Sequence, residues 1–371
     1  MKRPFRTLCA TALAAVLGIA LISLVPETAT SATRAKFNTR VFSKVPFPGT
    51  PAYVFVHRNG RVYAGTYASS SSKSASRVFE WTAGGTLLRS WTVPGQNLAK
   101  SPGVQVANQD SRGRLVLLEK STAGVLTLDT RTGKFKRQAT LPDLPVCSKG
   151  KTPCSPNGSD AKPIPNYATW GPGGALYVSD YAQAVIWRIP AKGGTPKVWF
   201  ASSALDYSLE FGTTGLVYQK STRSFLIAQQ TTGNLLNNGT AGRLYRLPVA
   251  KSGKPGALKT IWTSRPTELP DGFGIGRSGK IYIANVGLTN QLVVLSPTGK
   301  ELERFPKSQG AGKNGSPVPF DGPSNATFLG TRVLVANQSP IAGDRTHHVI
   351  LDVEVGERGV APYLPKGSTL R

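Results

Sequence analysis

Six times along the sequence a short hydrophobic strand ends on a polar residue. The copies read GRVYAGTY (60–67), GRLVLLEK (113–120), GALYVSDY (174–181), RSFLIAQQ (223–230), GKIYIANV (279–286) and TRVLVANQ (331–338). Their starts lie 53, 61, 49, 56 and 52 residues apart. Each copy follows another apolar run and a turn, as in YVFVHRNG and FGIGRSGK, and precedes a third strand such as VFEWTAGG or VIWRIPAKGG. A fourth often closes the unit, as in LLRSWTV and PKVWFAS. Short apolar runs between Gly-, Pro- and Asn-containing turns read as strands rather than helices. Four such strands, repeated at this period, predict an all-β chain: a six-bladed β-propeller with four antiparallel strands per blade. One blade cannot bury both of its faces, so the six have to share a ring. The run RVFSKVPF (40–47) looks like a fourth strand without its first three. It is expected to pair with the last blade, closing the ring and removing its open edges.

The N-terminus carries a different signal. MKRPFR is basic, LCATALAAVLGIALISLV is an apolar run of 18 residues, and TATSA supplies small residues. This is the pattern of an export signal, with cleavage after Ala32. Residues 1–32 are expected to be removed and 33–371 to form a single propeller domain, secreted or otherwise held outside the cytoplasmic membrane, in the periplasm or cell wall. The competing reading is an uncleaved anchor, for which 18 apolar residues are short. No other long apolar run exists, so no membrane span is expected after cleavage, and the expected assembly is a monomer. Cys9 lies in the export segment. Cys147 and Cys154, in VCSKGKTPCSPNG, are expected to form a disulfide in an oxidising compartment.

Charge and missing motifs narrow the function. The chain has 45 Lys+Arg against 19 Asp+Glu, a net +26. Without Lys2, Arg3, Arg6 and Glu27 the processed chain has 42 against 18, or +24. Basic residues are scattered, with no arginine-rich tail interleaved with aromatics, so no specific nucleic-acid motif is present. A cationic surface outside a cell attracts anionic polymers such as cell-wall phosphates or acidic polysaccharide. The sequence contains no GxSxG, GxxxxGK[ST], HExxH or CxxC motif, which sets aside the enzyme families built on them.

Three segments, LPDGFGIGRSGKIYIANVGLTNQLVVLSPTGKELERF, IPNYATWGPGGALYVSDYAQAVIWRIP and GPSNATFLGTRVLVANQ, resemble blades of the senescence-marker/gluconolactonase/luciferin-regenerating-enzyme family. The motifs cover three of the six blades, and the others follow by period. They also resemble paraoxonase-like, strictosidine-synthase-like and NHL-type propellers, so the fold transfers more safely than the function. The resemblance implies one divalent cation, calcium-like, at the top of the central channel, and hydrolysis of a small lactone or ester. Inner strands converge on the axis, so oxygens from several blades can surround a hard cation. Such an ion polarises a carbonyl and acidifies a bound water.

Counting back along each hairpin places residues on that geometry. Asp180 leads to Asn166, Asn285 to Asp271, Thr66 to Ala52, Gln229 to Thr214 and Asn337 to Asn325. The second blade leaves Gly103 and Gln105 both open. The resemblance makes Asp271 and Asn166 the metal ligands, with Asp271 also the catalytic group. Asn325, Thr214, Asp180, Asn285 and Asn337 are the expected substrate-binding residues. Where the resembled family has a glutamate in the first blade this chain has Ala52, and where it has asparagine in the fourth it has Thr214. Glu119, Asp180 and Glu210 are the carboxylates available as replacements. His57 falls in a turn at the opposite end of the channel. His347 and His348 are expected to begin the third strand of the last blade, where neighbours face opposite sides and do not share a site.

Two functions follow. One is a secreted, divalent-metal-dependent lactone or ester hydrolase with its site at the channel top. The other is a non-catalytic extracellular scaffold for an anionic polymer or a protein partner.

Overall fold

Strand β1 (Thr39–Lys44) enters first and pairs last. Blade one is β2 (Pro51–Val56), β3 (Val62–Thr66), β4 (Arg77–Trp81) and β5 (Leu87–Thr92). Blade two is β6 (Val104–Gln109), β7 (Leu115–Glu119), β8 (Gly124–Asp129) and β9 (Lys134–Thr140). Blade three is β10 (Pro165–Trp170), β11 (Leu176–Asp180), β12 (Val185–Ile189) and β13 (Lys197–Ala201). Blade four is β14 (Thr213–Gln219), β15 (Ser224–Gln229), β16 (Ala241–Pro248) and β17 (Lys259–Pro266). Blade five is β18 (Pro270–Ile275), β19 (Ile281–Asn285), β20 (Gln291–Leu295) and β21 (Glu301–Phe305). Blade six is β22 (Pro323–Leu329), β23 (Arg332–Asn337) and β24 (Val349–Glu354), completed by β1. The structure is a computed structural model that describes residues 34–68, 73–207, 211–232 and 240–370. The expected export segment 1–32 and Glu210 lie outside the described residues.

All six sheets are four-stranded and antiparallel, as the repeat predicted. The ring closes as expected, with Thr39 opposite Val353 and Lys44 opposite Val349. Arg40 and Arg332 both bind the buried Asp352 carboxylate, at 3.0 and 2.6 Å. Burial follows position in the blade. Innermost β2 and β6 are buried almost throughout, whereas outermost β5 and β9 are largely exposed. Neighbouring blades share their cores. Leu226 and Leu244 of blade four pack with Phe273, Ile281, Ile283 and Val293 of blade five. Each such side chain contributes about 1.5–3 kcal/mol of burial. Cys147 and Cys154 are disulfide-bonded between blades two and three.

Two features of the ring position the site. In five innermost strands the register slips by one residue near the start, between Pro51 and Val54, Pro165 and Ala168, Thr213 and Leu216, Pro270 and Phe273, and Pro323 and Ala326. A bulge of this kind re-aims side chains at a sheet's rim. The other feature is the C-terminal segment, which runs across the opposite end of the ring. Its carbonyls accept from Arg277 (Arg358 O, 2.8 Å), Ser111 (Ser368 O, 2.8 Å) and Lys192 (Thr369 O, 2.7 Å), and Leu370 is fully buried.

Candidate functional site

The polar residue ending each second strand pairs with the first residue of the strand before it. Thr66 faces Pro51, Glu119 faces Val104, Asp180 faces Pro165, Gln229 faces Thr213, Asn285 faces Pro270 and Asn337 faces Pro323. The residue next along the innermost strand takes the ring position expected from the sequence: Ala52, Gln105, Asn166, Thr214, Asp271 and Ser324. Blade two is thereby resolved to Gln105. Blade six differs from expectation, because its hairpin is one residue shorter than the shortest of the others. Ser324, not Asn325, takes the ring position.

Asn325 serves another purpose. Its amide accepts from Val54 N (3.2 Å) and donates to Val54 O (3.0 Å), stitching blade six to blade one. Thr214 likewise donates to Pro270 O of the next blade, at 3.2 Å.

The polar residues that end the second strands turn into the blade and its loops. Asp180 accepts from the backbone of Ile164, Ala182 and Gln183 (3.0–3.1 Å) and from Trp187 Nε1 (2.8 Å). Burial pushes its carboxyl up, against the pull of those donors. Glu119 caps the turn that follows through Ser121 and Thr122. Asn337 accepts from Asp321 N and donates to the carbonyls of Pro319 and His347. Asn285 is fully buried, and neither atom of its amide has a partner among the described residues.

The residues one step further along line a cavity of about 310 Å³: Tyr67, Lys120, Tyr181, Gln230, Val286 and Gln338. Their backbone N–H groups bond in the same way in all six blades, to the carbonyls of Thr50, Gly103, Ile164, Gly212, Leu269 and Gly322. Alternation along a strand explains the contrast, since a one-residue step moves a side chain to the other face. Of the predicted site residues, the structure brings only Asp271 and Asn166 to this cavity. Asn325, Thr214, Asp180, Asn285 and Asn337 do not line it.

Tyr53, outside the predicted set, joins the two. Its hydroxyl lies 2.5 Å from Asp271 Oδ1 and 3.2 Å from Asn166 Oδ1. Strict alternation from Ala52 would aim it off the axis, and the bulge of blade one turns it inward. Gly272 leaves the room. A β-carbon there would stand 2.8 Å from Tyr53 Cε1 and 2.5 Å from Asn325 Cβ. Burial raises the Asp271 carboxyl to about 7, against the pull of the Tyr53 hydrogen bond and the Lys120 charge. A carboxyl balanced near neutrality changes state under ordinary conditions. When ionised it accepts the phenol hydrogen. When protonated it can donate to the phenol oxygen, and the phenol to Asn166. Burial and Asp271 push Tyr53 well above its ordinary value and Tyr167 up to about 12.

These donors do not suit a divalent cation. A hard cation takes six to eight oxygens, with carboxylates supplying the charge. Here one carboxylate and one amide oxygen are bridged by a phenol, Ala52 supplies nothing, and the Lys120 ammonium faces the same carboxylate. Among the described residues no group of three or more His, Cys, Asp or Glu is placed to hold a metal ion.

The histidines stand apart from the cavity. His57 Nδ1 accepts from Asn59 N in the turn at the far end. The third strand of blade six begins at Val349, later than expected. His347 therefore lies in a short 3-10 turn beside Asp321 (2.9 Å), and His348 accepts from Thr50 N (3.0 Å).

No protein-family model matches the sequence, and no curated protein matches it. The structure does have solved neighbours, and they include propellers of the gluconolactonase, regucalcin and luciferin-regenerating type. Regucalcin from Agrobacterium tumefaciens, a calcium-binding protein, aligns with a TM-score of 0.60 at 18% identity, covering 90% of this chain and 99% of its own. A gluconolactonase from Xanthomonas campestris aligns at 0.55 and 14% identity, covering 86% and 91%. Virginiamycin B lyase from Staphylococcus aureus aligns at 0.51 and 15% identity, covering 84% and 82%. At these identities the shared property is the fold, as the sequence resemblance implied.

Proposed function

We propose that the channel mouth is a small-molecule site and that the chain hydrolyses a lactone or ester there, with Asp271 as proton acceptor. The observation that carries this reading is the buried Asp271 carboxyl, held near neutrality and hydrogen-bonded to Tyr53 on the wall of a 310 Å³ cavity. A general base works best with a pKa near the working pH. Asp271 takes a proton from water, the resulting hydroxide adds to the carbonyl carbon, and the ring or ester C–O bond breaks with that proton passing to the leaving oxygen. Lys120 is the one cationic side chain among the described residues lining the cavity. The gluconolactonase neighbours support the substrate class, and the unsuitable donor set argues for a reaction without a resident divalent ion.

We further propose export of the processed chain, supported by the N-terminal pattern and the disulfide. The test is a panel of aliphatic lactones and aryl esters assayed with and without EDTA. Turnover that survives EDTA and is lost in Asp271→Asn supports the proposal, and no turnover of any substrate sinks it. A second reading, a scaffold for anionic polymers, is favoured by the net charge of +26. Binding of acidic polysaccharide that falls steeply with salt, without turnover, would support it instead.

A further inference from the structure

We infer that the cavity is an anion site, headed by Lys120, whose ligand is a small monocarboxylate with an apolar body. The inference rests on reading the cavity as a small-molecule site, and not on turnover.

Lys120 directly follows the last residue of β7, and its ammonium sits over the faces of Tyr67 (4.5 Å) and Tyr181 (5.9 Å). Two aromatic faces hold a cation in place without using its hydrogens. The ammonium has no hydrogen bond to any described residue, so its three N–H groups remain for a ligand. The neighbouring side chains are already engaged in ways that favour an acceptor. Gln105 donates to the Tyr67 hydroxyl at 2.5 Å, leaving the phenol hydrogen for the cavity. Tyr181 donates to Gln230 Oε1 at 2.7 Å, which engages its phenol hydrogen.

A carboxylate matches this arrangement, with one oxygen on the ammonium and the other on the Tyr67 hydroxyl. A phosphate dianion does not, because the described residues lining the cavity present a single positive charge. The wall is mixed: Asn166, Asp271, Gln230 and Gln338 line it beside Phe211, Leu269, Val286 and Ile341, and these last four are available to pack against the ligand's body. Asp271 is the one acid on the wall among the described residues, and Tyr53 occupies one of its oxygens. The cationic surface raises the local concentration of anions around the mouth. The product of lactone or ester hydrolysis is itself a carboxylate, so the site suits the end of the proposed reaction as well as an independent binding role.

The experiment is calorimetric titration of the purified protein with benzoate, its neutral isostere benzamide, and inorganic phosphate. Lys120→Met and Lys120→Arg are titrated alongside, after melting curves confirm that they fold. The inference expects benzoate to bind at least tenfold more tightly than benzamide or phosphate. Lys120→Met should weaken benzoate at least tenfold, and Lys120→Arg should retain most of it. Equal affinity for benzoate and benzamide, tighter phosphate, or undiminished benzoate binding in Lys120→Met overturns it. If Lys120→Met does not fold, the contrast between benzoate and benzamide on the unaltered protein still decides. Benzoate binding without lactone turnover leaves this inference standing while the hydrolase reading falls. Turnover without benzoate preference does the reverse.

Discussion

Tyr53 of the first blade and Asp271 of the fifth meet inside the channel through a 2.5 Å hydrogen bond. The bond draws the carboxyl down while burial draws it up, and burial wins. Replacing Tyr53 with Phe removes the downward pull and leaves the desolvation. The Asp271 carboxyl then titrates higher, and the rising limb of the pH–rate profile moves to more alkaline pH. An unmoved limb in Tyr53→Phe would show that the phenol does not touch the working carboxyl.

Asp271 should work against stability at neutral pH. Its carboxyl titrates at about 7 in the folded chain against 3.8 ordinarily. Between those values the folded state keeps a proton that the unfolded state has lost, so stability falls as pH rises through this window. At 1.36 kcal/mol per unit the cost above pH 7 reaches an upper bound of about 4 kcal/mol. Asp271→Asn is therefore expected to be more stable than the parent at pH 8, with the advantage gone near pH 3.5. Urea unfolding at both values checks it. The same variant should lose about 100-fold or more in turnover, the usual loss when a general base is removed.

The buried pair Glu268–Arg304 fixes the entry to β18. Glu268 is fully buried and accepts from Arg304 and from Arg265 N, while Arg304 also binds Glu301 at 2.6 Å. Glu268→Ala leaves a poorly exposed guanidinium with only Glu301 and Gln291 of its three side-chain partners among the described residues. A loss of about 3–5 kcal/mol is expected, the range for one-sided removal from a buried ion pair. A chevron or equilibrium urea curve gives the value, and a loss below 1 kcal/mol would contradict the assignment.

Cys147 and Cys154 close a short loop seven residues apart in sequence. Reduction, or the double change to Ser, should cost about 2–3 kcal/mol on chain-entropy grounds. The loop contributes nothing to the cavity, so benzoate affinity at 20 °C should be unchanged. Altered affinity would mean that the loop shapes the channel after all.

The ring of blades was legible because a period of some fifty residues survives any uncertainty at strand ends. Asp271 and Asn166 were legible for the same reason: both lie a fixed step from a strand-ending polar residue. Tyr53 was not, since its direction depends on a bulge that leaves no mark in the letters PAYVF. Tyr67, Lys120 and Tyr181 were passed over by one position. Counting found the conspicuous polar residues Thr66, Glu119 and Asp180, whose side chains serve the loops, and the wall belongs to their neighbours. Asn325 was misplaced because the blade-six hairpin is one residue tighter than the rest.

The pairing of β1 with β24 joins side chains 312 residues apart, as in the contact of Arg40 with Asp352. The first strand to leave the ribosome therefore has no seat until almost the last has been made. The ring behaves as a clasp that fastens only on a finished chain, and contacts this distant make fastening slow. A product truncated before Val349 would have five whole blades and nothing to hold the ends together. If the chain is exported unfolded, as proposed, the delay is an advantage, because nothing locks on the wrong side.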